Sequence, residues 1–361
     1  MRRYYLDNIR WMTVVLVVIY HVIYMFNGVQ LFGVIGPFRK VQYQDAFLYM
    51  VYPWFMTLLF VVSGASARYY LENHSAREFI KTRTRKLLVP STIGLFVFQW
   101  ILGYFNMKIS GMDSMSAIPK VILYFIMAMS GTGVLWYIQM LWIFSLLLVL
   151  VRKIEKDRLY IAGAKTNIWV LLLFTVLIYL SAQVLNTPMV TVYRFGIYGV
   201  GFLIGYFVMS HDEVVNRLSK YWLPLSIAAI ALCITYTVLY FGQNYAQEPV
   251  INNILACVFC WIAILAVYAV MKKWADKTTP FFALMTKKSW GLYVFHYLPI
   301  AVFGYYQHLH MTNMPPALVY LIAVILAFAV AFVLFEIISR IPVVRWCVLG
   351  ISGKKKKENA A

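Results

Sequence analysis

The chain has 361 residues, of which 63% are hydrophobic and only 12% charged, about half the charged share of a typical soluble domain; a water-soluble globular fold is excluded. Its formal charge of +19 does not mark a nucleic-acid binder, because the Lys and Arg sit in short loops between apolar runs and not on a soluble basic face with aromatic or polar readers. Membrane spans therefore have to be counted before domains.

A helix needs about 20 apolar residues to cross a ~30 Å hydrocarbon layer. On that basis spans are expected at 8–26, 47–70, 88–106, 133–151, 167–185, 193–209, 222–241, 251–271, 290–306 and 316–338. The apolar stretch 117–129 is too short and is expected to lie as a re-entrant or interfacial helix on the outer face. The N-terminus has the basic-then-apolar outline of a signal peptide, but it has no small-residue cleavage site and carries Asp7, Arg10 and His21. It is read as a retained first span. Short cytoplasmic loops are enriched in Lys and Arg, and this span count puts 27 of the 32 on the side of the N-terminus. One helix too many or too few would scatter them. The expectation is an all-α, polytopic integral membrane protein with about ten transmembrane helices and both termini cytoplasmic. It comprises one membrane domain over 1–345 and a basic cytoplasmic tail over 346–361. The lysine run 354–357 reads either as a contact with anionic headgroups or as a solvated tail.

Ionisable residues within spans carry the functional signal, since they are costly there. Arg10 and His21 are eleven residues apart, three helical turns plus ~20°, with a rise of ~16 Å; they share one face at different depths. A cytoplasmic acyl donor with an anionic end and a long arm would bridge them. The guanidinium would hold phosphate oxygens, and the imidazole, with an ordinary pKa of ~6.5, suits general-base work. On position alone, His21 reads equally as a neutral histidine bonded to a neighbouring helix. Arg10 reads equally as the partner of Asp7 or as a snorkelling side chain. Arg68, one turn past Ser63 and Gly64, is either a phosphate contact or a snorkelling cation. Ser63 and Gly64 are expected to permit close helix packing. Trp136 and Tyr137 are expected in the aromatic belt, with a sugar platform as the other reading. His296 falls ~10 Å into its span, ~9 Å shallower than His21; it is expected to help shape a donor tunnel or to be structural. Glu336 is expected to pair with Arg340. Cys257 and Cys260 have the spacing of a redox or zinc half-site, but no second pair or His cluster accompanies them, and they are read as buried thiols.

Several separated motifs together resemble the acyltransferase-3 family of bacterial membrane proteins, and within it the branch that includes glucan-modifying succinyltransferases. Tyr5-Leu6-Asp7-Asn8-Ile9-Arg10 followed by Tyr20-His21 is similar to the family's opening motif. Phe60-Val61-Val62-Ser63-Gly64 with Arg83-Thr84-Arg85-Lys86-Leu87-Leu88-Val89-Pro90 is similar to its second helix and basic loop. Leu135-Trp136-Tyr137, Gly201-Phe202-Leu203-Ile204-Gly205-Tyr206, Ser289-Trp290-Gly291-Leu292-Tyr293-Val294-Phe295-His296 and the closing segment from Phe335-Glu336 to Arg345 follow in the family's order. Trp11 stands where the family commonly has Gly. Lys86 stands where a second Arg is usual, and it lacks that residue's bidentate fork.

The resemblance implies a membrane-embedded O-acyltransferase that moves an acyl group, acetyl or succinyl, from cytoplasmic acyl-CoA to a hydroxyl of an extracytoplasmic glycan or glycolipid. It implies His21 as catalytic residue and Arg10 as donor-binding residue; Arg83, Arg68 and His296 are further donor-binding candidates. No permanently bound cofactor is expected, acyl-CoA acting as co-substrate. Expected partners are the donor, the acceptor, membrane lipid and no nucleic acid, with a homodimer left open. The implied location is a bacterial cytoplasmic membrane, multi-pass. The rival readings are a glycan or glycolipid transporter or flippase, which would show broken helices in matching positions of two halves, and a non-enzymatic partner of a polysaccharide synthase.

Overall fold

The computed structural model describes residues 3–29, 33–111, 118–187 and 192–352; the lysine run 354–357 lies outside them. The regular secondary structure of the described residues is helical apart from one antiparallel bridge between Asn186 and Arg194. In chain order the helices are α1 Tyr4–Met25, α2 Ala46–Val51, α3 Phe55–Leu71, α4 Ala76–Arg83, α5 Trp100–Ile109, α6 Lys120–Ser130, α7 Trp136–Glu155, α8 Arg158–Ala164 and α9 Ile168–Ala182. They continue as α10 Phe195–Phe207, α11 Asp212–Ser219, α12 Trp222–Tyr240, α13 Glu248–Ile251, α14 Ile254–Trp274, α15 Pro280–Phe295, α16 Tyr297–His310, α17 Pro316–Arg340 and α18 Pro342–Leu349.

Among the described residues six stretches are long and apolar enough to cross a membrane: α1, the α2–α3 unit from Tyr43 to Leu71, the stretch Gly133–Glu155, α12, α14 and α17. The apolar helices α6, α9 and α10 are shorter. Of the expected spans, 47–70 is divided between α2 and α3, those at 167–185 and 193–209 are the short helices α9 and α10, and two more take a different form. The span at 88–106 is not one helix: π-helical turns occupy Thr84–Leu88 and Leu95–Gln99 before α5 begins. Pro90 has no N–H to donate and breaks the ladder, and side chains add hydrogen bonds to carbonyls beside the break. Ser91 Oγ donates to the Leu87 carbonyl at 2.7 Å, and Gln139 Nε2 donates to the Ser91 carbonyl at 3.0 Å. The span at 290–306 is the second half of a longer rod that starts at Pro280. Thr279 caps that rod, its side chain accepting from the Phe282 N–H, and Pro280 suits the first helical position. The rod bends at His296, where Pro299 removes the N–H that would have bonded the Phe295 carbonyl.

Burial separates central from peripheral helices. In the Tyr43–Leu71 unit 78% of the apolar window is buried, whereas in α12 the share is 17%. Accordingly, α12 turns Leu223, Ile227, Ile230, Ile234 and Val238 outward, a stripe suited to acyl chains. At the centre α3 and α10 meet backbone to backbone. A Cβ on Gly64 would strike the Phe202 carbonyl, and one on Gly205 the Val61 carbonyl. The packing role expected for Gly64 is thus the observed one, and Gly201 with Gly205 forms the small-residue step that admits it.

The basic loops gather at one end of the bundle. Arg3 makes a two-pronged ion pair with Asp212 at 2.8 and 2.7 Å while its guanidinium lies 3.7 Å over the Tyr69 ring. Asn8 Nδ2 donates to the Ala275 and Lys277 carbonyls at 2.6 and 2.9 Å. Both described chain ends belong to this basic end, with Arg85 reaching Ser352 Oγ at 3.1 Å.

Candidate functional site

Deep in α1, His21 touches His296 of the α15–α16 bend: His296 Nε2 lies 3.2 Å from His21 Nδ1. The expected difference in depth is therefore corrected. The rod carrying His296 begins at Pro280 and not near 290, so His296 sits ~24 Å along it, and His21 sits ~26 Å along a helix that begins at Tyr4.

The hydrogen bonds assign the tautomers. His296 Nδ1 lies 3.0 Å from the Leu292 carbonyl and 2.9 Å from the Tyr293 carbonyl. Carbonyls only accept, so its proton is on Nδ1 and its Nε2 presents a lone pair. His21 Nδ1 lies 2.8 Å from the Val17 carbonyl, so it too is protonated, and its N–H is shared between Val17 and His296. That leaves His21 Nε2 as a lone pair with no partner among the described residues. Edge-on rings of Tyr20, Tyr24 and Tyr297 hold the imidazole, with centroids 5.1, 6.2 and 5.0 Å away.

Toward the basic end, cations converge. Arg10 donates to Ser66 Oγ at 2.8 Å and pairs with Asp7 at 3.2 Å, the ion pair that its spacing from Asp7 anticipates. Arg83, at the last residue of α4, lies 5.1 Å from the Phe79 ring and has no ion pair among the described residues. Burial pushes its guanidinium down to about 10, with the Arg10 charge adding to the effect and Tyr137 opposing it. Lys86 is lowered for the same reason, by burial first and then by the charges of Arg85, Arg83 and Arg10. Arg10, Arg83, Arg85 and Lys86 thus lie within electrostatic reach of one another.

A tyrosine wall joins the cations to the histidines. Tyr137 is buried, with its hydroxyl 2.9 Å from Ser63 Oγ, so it does not stand in an aromatic belt; its neighbour Trp136 packs on Tyr193 and Tyr198. The Tyr137 ring lies 5.9 Å from that of Tyr293, whose hydroxyl donates to the Val134 carbonyl and whose ring lies 6.4 Å from His296. The sequence held a signal for this lining: both histidines are flanked by tyrosines at helical spacing, Tyr20-His21 with Tyr24 and Tyr293 with His296-Tyr297.

Arg68 is placed elsewhere. It bonds Asp157 at 2.7 Å and the Tyr206 hydroxyl at 3.3 Å, lies 3.6 Å from Glu72, and covers the Tyr160 ring at 3.4 Å. It clamps α3 to the α7–α8 turn. Arg68→Ala is expected to lower the thermal midpoint by several degrees and leave the donor KM unchanged, which a melting curve and donor titration check together. Glu336 pairs with Lys288 more closely than with Arg340, which is 3.7 Å away.

A family model described as an acyltransferase domain matches residues 3–336. No curated protein and no solved structure matches the chain.

Proposed function

The chain belongs to the acyltransferase-3 family and is a multi-pass membrane acyltransferase, and from that premise we propose that it carries an acyl group, acetyl or succinyl, from cytoplasmic acyl-CoA to a hydroxyl of an extracytoplasmic glycan or glycolipid in a bacterial cytoplasmic membrane. The observation that carries this reading is the histidine contact, which leaves one imidazole nitrogen open and braces the other. His21 Nε2 takes the proton of the acceptor hydroxyl as its oxygen attacks the thioester carbonyl. The imidazolium so formed keeps its Nδ1–H on two acceptors, the Val17 carbonyl and His296 Nε2. When the carbon–sulfur bond breaks, the leaving thiolate regains a proton from His21. His296 thus orients and stabilises the base. An acyl-histidine relay would use the same nitrogen as nucleophile.

Arg10, Arg83 and Lys86 would hold the donor's phosphates, and the arm would run past Tyr137 and Tyr293 to the histidines. The flippase reading gains nothing from the breaks in the helices. Thr84–Gln99 is broken in the first half, but α14, its counterpart in position in the second, runs without interruption from Ile254 to Trp274.

The test uses sealed vesicles with the basic face outward, labelled acyl-CoA outside and a glycan acceptor inside. The wild-type protein should label the enclosed glycan. Arg83→Ala should raise the donor KM about tenfold or more, the worth of a charge-assisted hydrogen bond, with kcat nearly unchanged. An unaltered donor KM would remove Arg83 from the donor site, and label that never enters the vesicle would refute transfer across the membrane.

A further inference from the structure

At the end of the bundle opposite the basic loops, a cavity of about 340 Å³ opens between the C-terminal end of α9 and the turn joining α13 to α14. Its lining includes Tyr179, Gln183, Asn186, Glu248 and Asn252. Beneath it lies Arg194, which is 4% exposed and donates through Nη2 to Asn252 Oδ1 at 2.7 Å. Two polar atoms here are buried with no hydrogen-bond partner among the described residues: Arg194 Nε and Asn186 Oδ1. Such groups carry an unmet desolvation cost. Their two residues are held side by side by the backbone bridge between Asn186 and Arg194. The close seating of Gly196, where a Cβ would meet the Ser181 and Val184 carbonyls, fixes α10 against the end of α9.

The chemistry of the lining discriminates among ligands. The lining offers acceptors (Asn186 Oδ1 and the Glu248 carboxylate) and donors (the Tyr179 hydroxyl and the Gln183 and Asn252 amides), with the Arg194 guanidinium bonded to Asn252 behind it. Glu248 makes no ion pair among the described residues and would repel an anion; Arg194 would repel a cation. A ligand whose groups each donate and accept, and which carries no charge, satisfies both, and vicinal hydroxyls do so. Tyr236 donates to the Val250 carbonyl on the α13 side, and its ring packs on Tyr240 and Phe259.

We propose that this cavity is a subsite for a neutral sugar residue of the acceptor glycan, bound at a distance from the residue that is acylated, so that the enzyme grips a polymer and not a single sugar. The inference rests on the glycan-acceptor reading given above. The subsite positions acceptor and takes no part in bond making. It supplies grip on the chain away from His21, so it acts on acceptor KM and leaves the chemical step alone.

The experiment measures binding of a neutral gluco-oligosaccharide of six units to the full-length protein in lipid nanodiscs by saturation-transfer NMR, beside acylation of the same sugar. The double variant Gln183→Ala/Glu248→Ala removes two exposed side chains and should weaken hexasaccharide binding, and raise its KM, by about tenfold. Asn186→Ala should do the same, and a uronate hexamer should bind more weakly than the neutral one. Equal affinity in wild type and variants, absence of binding to the wild type, or preference for the uronate would overturn the subsite. Binding that is lost in the variants while the wild type acylates no sugar would leave the subsite standing and sink the glycan-acceptor reading instead.

Discussion

His21→Ala is expected to lower acyl transfer by about 10²- to 10⁴-fold, the range for removal of a general base, while the protein still accumulates in the membrane. The side chain is only partly buried, and beyond its own helix its hydrogen bond runs to His296 alone. Alanine therefore removes the base and little of the packing. The measurement is mass spectrometry of the surface glycan from cells with matched membrane levels of each protein. Loss of acyl mass on a polymer that is still exported places His21 in the chemistry. Unchanged acylation excludes it, and loss of the polymer itself would favour a transporter. His296→Ala separates base from brace. It deletes the acceptor for His21 Nδ1–H but not Nε2, so the loss should be smaller, about 10- to 100-fold, and should fall on kcat more than on donor KM.

Gly205→Leu should be the most damaging substitution for folding, at a cost above about 4 kcal/mol. Its side chain would enter the Val61 backbone, which cannot yield as a flexible side chain would. The expected result is near-complete loss of monodisperse protein on fluorescence size-exclusion chromatography. Gly199→Ala, on the same helix, is the control. Its Cβ would meet only the Phe144 ring at 3.3 Å, and the variant should stay folded with near-normal activity. If Gly205→Leu behaved like Gly199→Ala, the tight α3–α10 approach would be wrong.

Much of this was legible in the sequence because membrane crossing imposes length and apolarity on each span and sorts cations to one face. α12, α14 and α17 begin and end within about three residues of their expected bounds. Hydropathy fails where an element is not a simple rod. It has no term for the carbonyls that Ser91 and Gln139 satisfy around Pro90, so the broken passage from Thr84 to Gln99 looked continuous. It also cannot see that Lys287 and Lys288 are tolerated inside a helix whose apolar count starts only after them; the resulting ten-residue error at Pro280 is what separated His296 from His21. Helical geometry placed Arg10 and His21 on one face, yet the partner of His21 was a matter of tertiary contact. Arg68 illustrates the opposite limit: its sequence position allowed a phosphate contact, whereas Asp157, eighty-nine residues on, engages it.

In the proposed reaction, the separation of the cation cluster from the histidine pair would make the protein a gauge of donor length. Arg10 and His21 are offset by ~16 Å along α1, so a molecule anchored by its anionic group at the first reaches the second only if its reactive carbonyl lies a comparable distance away. An acyl phosphate, with carbonyl and phosphate joined through one oxygen, would then be too compact to be used however reactive it is. A thioester on a long carrier arm meets the requirement, and shortening that arm would abolish turnover without weakening the hold on its phosphates.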